Sequence, residues 1–132
     1  MIQSDAYSFI NVLDKAMDAS WTRETLISNN IANVDTPGYK RQDIDFASVL
    51  EQELGRSKYE SLDSKIDNIH VSHLNPQTYT DSASYSYRID DNNVDIDTEN
   101  VELASEQIRY QAWETAVNGE FQLLKTAMSS SS

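Results

Sequence analysis

The chain has 132 residues, of which 39% are apolar, and it contains no cysteine. A chain of this size supports at most one modest domain, no stretch approaches the roughly 20 apolar residues of a membrane span, and disulfide or thiolate chemistry is excluded. Its net charge of −12 repels phosphate backbones and anionic lipid, so we expect neither nucleic-acid binding nor direct membrane insertion.

The first segment, residues 1–35, is predicted to be one long amphipathic helix. Its apolar residues, Leu13 and Ile27 among them, recur with the i, i+3, i+4, i+7 spacing of one helical face. The apolar stripe has a gap at Ser20 and Glu24, which predicts a helix that is weak in isolation. The segment lacks the basic start and continuous apolar block of a secretory signal, so we expect no cleaved signal peptide.

A tight turn is predicted to end this helix. Pro37 fixes its own φ and disfavours the helical region for Thr36. Gly38 can adopt the positive φ that the third residue of a type II turn requires. The helix is therefore expected to stop near Val34 or Asp35.

Three asparagines precede the turn, Asn29, Asn30 and Asn33. Asparagine is a poor residue for a helix interior, because its side chain competes for backbone hydrogen bonds. Polar side chains on a helix face commonly fix the register with a partner at some loss of stability. We therefore interpret this cluster as aligning the helix with another chain.

The middle segment, residues 36–94, is predicted to contain a turn, a short helix and an irregular acidic region with a small β strand or hairpin. Phe46 and Leu50, four positions apart, would share one face of the short helix. Residues 56–68 are predicted as a flexible loop. Alternation of aromatic or apolar and polar residues over 84–89 predicts the strand.

A second long helix is predicted in residues 95–132, capped by Asp97 or Thr98 and running to about Met128 before a frayed serine tail. It carries two apolar strips. The first strip consists of Leu103, Tyr110, Val117 and Leu124, and the second of Val101, Ala104, Ile108 and Ala112. One strip can pack on the N-terminal helix, whereas the other would need a different subunit.

Few residues suggest chemistry. A calcium-binding EF-hand loop has ligands at positions one, three, five and twelve, which here would be Asp91, Asn93, Asp95 and Glu102. Position six of such a loop needs glycine, and this chain has Ile96 there. We therefore interpret these acidic residues as helix caps. His70 and His73 beside Asp67 are interpreted as solvated loop residues rather than metal ligands. With no nucleophile–base arrangement and no phosphate-binding glycine loop, we predict no metal, no cofactor and no enzymatic activity.

The stretch Ile27–Arg41, reading ISNNIANVDTPGYKR, resembles the N-terminal signature of the bacterial flagellar rod and hook (axial) protein family. Its continuation Gln42–Phe46 is most similar to that of proximal rod subunits. Residues Asn93–Asp97, together with Arg109–Gln111 on the following helix, resemble the C-terminal motif of those subunits. The resemblance spans more than half of the chain, and the motifs occur in the expected order.

The resemblance implies a structural subunit of the flagellar basal body. Such subunits are exported unfolded by the flagellar type III apparatus without a cleaved signal peptide. In the periplasm they form the proximal rod, a helical tube that transmits torque. The implied fold is mainly α, a single domain of residues 1–132 whose terminal helices pair as a coiled coil. The implied partners are copies of the chain, other rod subunits, membrane-ring and rod-adaptor proteins, and the type III export gate.

We place the assembly interface on both helices and the turn. Its predicted residues are Leu13, Ile27, Asn29, Asn30, Ile31, Asn33, Pro37, Gly38, Tyr39, Leu103, Tyr110, Val117 and Leu124. Phe46 and Leu50 resemble the Phe-x-x-x-aliphatic export element of this class, with simple core packing as the alternative. The alternative function is a soluble acidic helical adaptor or export chaperone that binds a single partner. Size and acidity fit both functions, and the Thr-Pro-Gly-Tyr turn favours the rod subunit.

Overall fold

Two long helices dominate the computed structural model, which describes residues 2–55, 61–81 and 88–130. Helix α1 spans Ile2–Ala32 and helix α4 spans Ile96–Ser130. Asn30 of α1 contacts Glu99 of α4, Arg23 contacts Glu106, and Trp21 contacts Tyr110. The two helices therefore run antiparallel. The predicted mainly α fold with paired terminal helices is confirmed.

The middle of the chain contains short elements only. They are β1 (Gln42–Asp43), α2 (Phe46–Gly55), α3 (Leu62–Asp67), a 3₁₀ turn (Val71–His73) and β2 (Tyr79–Thr80). The strands β1 and β2 pair antiparallel, with Gln42 opposite Thr80 and Asp43 opposite Tyr79. The short helix predicted around Phe46 is confirmed as α2, which Asp45 caps by accepting hydrogen bonds from the Ser48 amide and hydroxyl.

The loop predicted for residues 56–68 is wrong over α3. Ser61 caps α3 by accepting a hydrogen bond from the Ser64 amide at 3.2 Å, and Asp63 lies in the first turn, where the helix dipole favours negative charge. Only Ile66 of this helix is buried. A six-residue helix with one buried side chain shows no repeating period, which is why the sequence concealed it. Residues 56–60 lie outside the described residues.

The small sheet is confirmed, but it is not built from the residues predicted for it. Residues 82–87 of the predicted strand region lie outside the described residues. Ile89 is fully exposed and sits in a turn, not in a strand. Asp91 follows with a φ of 60°, a left-handed conformation that ends any extended run.

Helix α4 begins earlier than predicted. The Asp95 side chain accepts hydrogen bonds from the amides of Asp97 at 3.0 Å and Thr98 at 3.2 Å, so Asp95 is the N-cap and the prediction of Asp97 or Thr98 is wrong. At its other end α4 continues through Ser130, two residues beyond the predicted Met128. At the C-terminus of α1 the boundary is two residues shorter than predicted, at Ala32.

The core lies towards the end of the molecule where α1 finishes and α4 begins. Among side chains that the structure describes, the buried apolar ones are Ala16, Ala19, Ile27, Ile44, Ile66, Leu74, Val94 and Leu124. Only Leu124 of this set lies in α4, so α1 and the middle segment supply most of the apolar core. Within the described ranges, no helix is long and apolar enough to cross a membrane.

Candidate functional site

The predicted turn after α1 is confirmed as type II. The Thr36 carbonyl accepts a hydrogen bond from the Tyr39 amide at 3.2 Å, and Gly38 at the third position has a φ of 72°. A Cβ built on Gly38 would meet no atom within 4 Å. Glycine is therefore required here by backbone conformation and not by crowding.

A buried amide far along the chain fixes the turn that follows α1. Asn92 is buried, and its side-chain N–H groups donate to the carbonyl oxygens of Asn33 at 2.9 Å, Val34 at 3.1 Å and Thr36 at 2.8 Å. These three residues follow α1, which ends at Ala32, so Asn92 fixes the turn that leaves the helix. Its own Oδ1 accepts from the Val94 amide at 2.8 Å.

Backbone hydrogen bonds reinforce the same contact. The Gly38 amide donates to the Asp90 carbonyl at 2.6 Å, and the Asn93 amide donates to the Tyr39 carbonyl at 3.3 Å. The Asn93 side chain accepts from the Arg41 amide at 2.8 Å. We call residues 29–43 together with 90–99 the junction. The two sequence motifs that are far apart in the chain thus lie against each other in the fold.

The three asparagines before the turn have different surroundings. Asn30 is fully buried, accepts from the Gln42 amide at 2.9 Å and the Tyr39 hydroxyl at 3.1 Å, and donates to the Gln42 carbonyl at 2.9 Å and to Glu99 at 3.2 Å. Asn29 is exposed. Asn33 donates to the Asn29 carbonyl at 2.8 Å. Of the three, Asn30 acts within the chain, where it holds the turn against both long helices.

An ionic network that the sequence analysis missed lies beside the junction. Arg23 of α1 contacts both carboxylate oxygens of Asp43 at 2.9 and 3.2 Å, Glu106 at 2.9 Å and Glu102 at 2.8 Å. Arg23 and its partners Asp43 and Glu106 are mostly screened from solvent. One guanidinium therefore ties together α1, β1 and α4.

A second arginine extends the network to β2. Arg41 contacts Glu99 at 2.5 Å, Asp43 at 3.1 Å and Asp81 at 3.2 Å. Glu99 has only 1% of its surface exposed. Its main partners are Arg41 and Asn30.

The pKa values of Arg23 and Asp43 are shifted in the direction that keeps both side chains charged. The hydrogen bond to Asp43 raises the pKa of Arg23 above its ordinary value, against the opposing effect of burial, with Glu106 and Glu102 adding to the rise. Burial acts to raise the pKa of Asp43. Hydrogen bonds from Arg23 and the Ile44 amide outweigh that effect and lower it. The pair is ionised at neutral pH.

Two sequence features could have revealed the network. The apolar stripe of α1 has its gap next to Arg23, at Ser20 and Glu24, and a gap of that kind marks a polar contact on a buried face. On α4, Glu99, Glu102 and Glu106 follow at spacings of three and four, so they share one face. The pairing between these two patterns depends on the antiparallel register, which the sequence does not specify.

The two apolar strips of α4 have opposite surroundings. The first strip faces α1, with Leu124 buried and Leu103, Tyr110 and Val117 half-buried. The second strip is exposed throughout. Val101 is 65% exposed and Ile108 is 69% exposed, and Ala104 and Ala112 are also exposed. The chain therefore covers one strip and leaves the other bare.

The remaining predicted site residues lie at several depths. Ile27 is buried, and Leu13, Ile31 and Tyr39 are half-buried, whereas Pro37 and Gly38 are exposed. Phe46 and Leu50 are half-buried in α2 and line a groove between α2 and the long helices. The antiparallel register places Leu13 near Val117 and Ile27 near Leu103. Tyr110 lies instead beside Trp21, with ring centres 6.2 Å apart.

The residues considered as metal ligands have other partners. Asn93 donates to the Asp81 carbonyl at 2.8 Å, Asp95 caps α4, and Glu102 binds Arg23. His73 lies 3.4 Å from Glu53. Over residues 2–55, 61–81 and 88–130, no group of three histidine, cysteine or acidic side chains is placed to hold a metal ion.

Comparison with known proteins assigns a class to this arrangement. Residues 10–40, which hold most of α1 and the type II turn, match the family model described as flagella basal body rod protein. Proteins of this class are structural components of the flagellar basal body and not enzymes.

Whole-chain relatives narrow the class. The chain is 38% identical over 122 residues to the flagellar basal body rod protein FlgB of Bacillus subtilis (strain 168). The aligned region covers 90% of this chain and 92% of that protein. It is 31% identical over 123 residues to FlgB of Escherichia coli (strain K12), covering 88% and 89%. It is 34% identical over 103 residues to FlgB of Borreliella burgdorferi, covering 71% and 76%. The chain belongs to the flagellar basal body rod protein family and is of the FlgB type, which confirms the resemblance seen in its motifs.

Proposed function

We propose that this chain is a subunit of the proximal rod, exported by the flagellar type III apparatus without a cleaved signal peptide and assembled in the periplasm into a helical tube that transmits torque. Family membership supports the structural role in the basal body. The observation that carries the finer proposal is the bare apolar strip of α4, since a structural subunit that assembles side by side needs an uncovered contact surface.

The energetics of that strip favour assembly. Complete burial of a valine or isoleucine side chain stabilises by about 1.5–3 kcal/mol relative to exposure. Val101 and Ile108 are each about two-thirds exposed in the single chain. A neighbour that covers both side chains supplies most of that free energy, because the isolated chain buries only about a third of each. The proposed neighbours are copies of the chain and other rod subunits, with membrane-ring and rod-adaptor proteins at the ends of the rod.

The predicted interface residues divide by depth in this proposal. Exposed residues such as Asn29, Pro37 and Gly38 contact neighbours directly. Buried residues such as Ile27 and Asn30 act by fixing the position of the turn relative to the two helices. A change at either kind of residue impairs assembly, but truncation of a side chain lowers the stability of the free subunit by more than about 1 kcal/mol only at the buried kind.

Export uses the α2 side chains before the chain folds, in the same proposal. Phe46 and Leu50 act as the recognition element for the export gate in the unfolded chain and pack into the subunit afterwards. Leu50→Ala should lower the amount of exported protein several-fold, while Leu54→Ala should not. Leu54 is a matched control because it is half-buried in the same helix and lines the same groove. Equal export of the two variants would remove Leu50 from the signal.

The turn gives a direct test of the assembly role. Gly38→Val places a β-branched residue at a φ of 72°, which adds at least ~1–2 kcal/mol of strain. Gly38→Asn is the control, because asparagine tolerates the left-handed region. In cells that lack the native subunit, we expect the valine variant to accumulate without rods or motility, and the asparagine variant to restore both.

Two other outcomes of that experiment are informative. Normal rods with the valine variant would show that the turn does not align neighbours. Recovery of the unmodified chain in the cytoplasm with a single partner, and its absence from purified basal bodies, would replace the rod subunit with the adaptor or chaperone alternative.

A further inference from the structure

A single Asn-Gly pair lies in the distal half of α4. Asn118 is followed by Gly119, whereas every other asparagine of the chain is followed by a residue that carries a side chain. Both residues are exposed, and a Cβ built on Gly119 would meet no atom within 4 Å, so the space beside this part of the helix is open. Asparagine is among the thermolabile residues of proteins, and its lability depends on the residue that follows it.

The amide nitrogen of the following residue is the nucleophile in that reaction. The Gly119 nitrogen loses its proton to a base of the solvent and bonds to Cγ of Asn118, while the Cγ–Nδ2 bond breaks and the side-chain nitrogen leaves as ammonia. Water then opens the resulting succinimide ring at either carbonyl, so residue 118 becomes aspartate or isoaspartate. One water is consumed and one ammonia is released, with no change in oxidation state. Glycine offers the least hindered nitrogen, because it has no Cβ.

The helical conformation blocks the first step. In an α-helix the amide of residue 119 donates to the carbonyl of residue 115, and α4 is helical throughout this stretch. A helical ψ of about −42° at Asn118 also directs the Gly119 nitrogen away from Cγ. Ring closure therefore requires that α4 open locally around residues 115–119.

These five residues are a weak part of the helix. Gly119 is unfavourable in a helix interior, because glycine loses the most backbone freedom on folding. Thr115 and Val117 are β-branched, and the side chain of Asn118 competes for backbone hydrogen bonds. The Thr115 hydroxyl donates to the Gln111 carbonyl at 3.0 Å, a contact of the kind that slightly destabilises helices.

Tertiary packing around this stretch is also sparse. Among residues 114–130, Leu124 is the one buried side chain. Helices gain most of their stability from packing, and segments with few buried contacts open locally at the lowest free energy. The distal part of α4 therefore opens more often than the part beside the ionic network, where Glu99 and Glu106 are buried.

Other asparagines are protected by their contacts or by their neighbours. At the junction, the side chains of Asn30, Asn92 and Asn93 donate to backbone carbonyls. Asn100 is exposed in α4 like Asn118, but it is followed by Val101, whose branched side chain hinders the attacking nitrogen. Asn100 is therefore an internal control, since it is the same residue type in the same helix.

We propose that Asn118 is a site of spontaneous deamidation and isomerisation in the free subunit, and that local opening of the distal part of α4 controls its rate. Isoaspartate carries the main chain through its Cβ, which lengthens the backbone by one methylene and breaks the i to i−4 hydrogen-bond register. Aspartate instead places a negative charge four residues from Glu114, an unfavourable pair on one helix face. Either product weakens the helix that pairs with α1.

Peptide mapping by mass spectrometry tests the site. The purified chain is held in mildly alkaline buffer, and aspartate and isoaspartate are measured over time at positions 118 and 100. We expect conversion at Asn118 to exceed conversion at Asn100 several-fold, and Gly119→Ala to slow conversion at Asn118 several-fold. Equal conversion of the two asparagines, or no effect of Gly119→Ala, would overturn the assignment of this site.

A second comparison tests control by the helix. Thr115→Ala replaces an exposed β-branched residue with the best helix former and leaves both reacting residues unchanged. Under native conditions this variant should convert several-fold more slowly than the native chain. In urea that unfolds both chains, the two rates should be equal and faster than in the folded state. Equal rates of the two chains under native conditions, or no acceleration of the native chain in urea, would refute control by the helix.

Discussion

Two buried amide side chains control the geometry of the junction at the scale of single residues. Asn30 both accepts from and donates to the backbone of Gln42, in the way that a neighbouring strand would. Asn92 donates to three carbonyls in the turn that follows α1. An amide side chain carries a donor and an acceptor in one plane, and no charged or apolar side chain of the same size can replace both.

Asn30→Asp should be strongly destabilising although it preserves the shape of the side chain. It replaces the donor with an acceptor, which then faces the Gln42 carbonyl and the buried carboxylate of Glu99. We expect a loss of about 3 kcal/mol in the free energy of unfolding, measured by urea denaturation at pH 7. Asn29→Asp makes the same change at an exposed position and should stay within ~0.5 kcal/mol of the native chain. Similar losses in both variants would mean that the added charge, and not the lost donor, is responsible.

At the scale of elements, the ionic network determines which elements meet. Arg23 connects α1 to β1 and to α4. Arg41, directly before β1, pairs with Asp81, directly after β2, and with Glu99 of α4. Buried ion pairs often contribute little net stability, but removal of one partner leaves a buried charge uncompensated. Their main effect is to make one register between the long helices much better than its neighbours.

Arg23→Gln should destabilise the chain by about 3–5 kcal/mol, because Asp43 and Glu106 then lose their principal counter-charge. Arg109→Gln is the matched control. Arg109 is about half exposed and contacts Glu106 at 3.2 Å, so its removal should change the free energy of unfolding by less than ~1 kcal/mol. Chemical denaturation of the two variants gives the comparison, and an equal loss in both would contradict the central role of Arg23.

The same variant should alter the acid sensitivity of the chain. The pKa of Asp43 is lowered in the folded state, while an unfolded aspartate titrates near pH ~3.9. The stabilisation from its ionised form is therefore complete above the unfolded pKa and is lost as the pH falls through the folded pKa. Unfolding curves from pH 7 to pH 2 should show the native chain and Arg23→Gln converging below about pH 4. A constant difference over the whole range would show that Asp43 is not the titrating group.

At the scale of the whole molecule, burial is uneven along the paired helices. Residues 16–30 of α1 include five buried side chains and residues 7–15 include none, while on α4 Leu124 is the one buried side chain of residues 114–130. Helices gain most of their stability from packing. The distal part of the helix pair, away from the junction, is therefore the less stable end of the free subunit.

Hydrogen exchange should reveal this gradient. In the isolated chain, backbone amides of residues 114–130 should exchange faster than those of residues 99–110, and amides of residues 7–13 faster than those of residues 19–30. In basal bodies the difference should disappear, since neighbours cover the distal part. Uniform protection along both helices of the free chain would contradict the view that its ends become fully ordered only on assembly.

The sequence predicted the features that depend on local pattern. The two long helices followed from apolar spacing, and the turn followed from Pro37 and Gly38, whose conformational limits are intrinsic. What it could not predict depends on contacts between distant positions. The strand Tyr79–Thr80 is defined by its pairing with Gln42–Asp43, and the partners of Arg23 lie 79 and 83 residues away in α4.

The assembly residues were predicted from pattern and resemblance together, which cannot separate a side chain that holds the subunit from one that meets a neighbour. Asn29 and Asn30 are adjacent in sequence and equivalent in type. One is exposed and the other is fully buried. Only the register of the helix against the turn distinguishes them.

The side chain that fixes the turn after α1 is synthesised 56 to 59 residues after the carbonyls that it contacts. A ribosome therefore makes the whole of the first helix and its turn before the residue that secures the turn exists. The order of the residues in the chain therefore sets when these hydrogen bonds can form. A fragment that ends before position 92 would never form them.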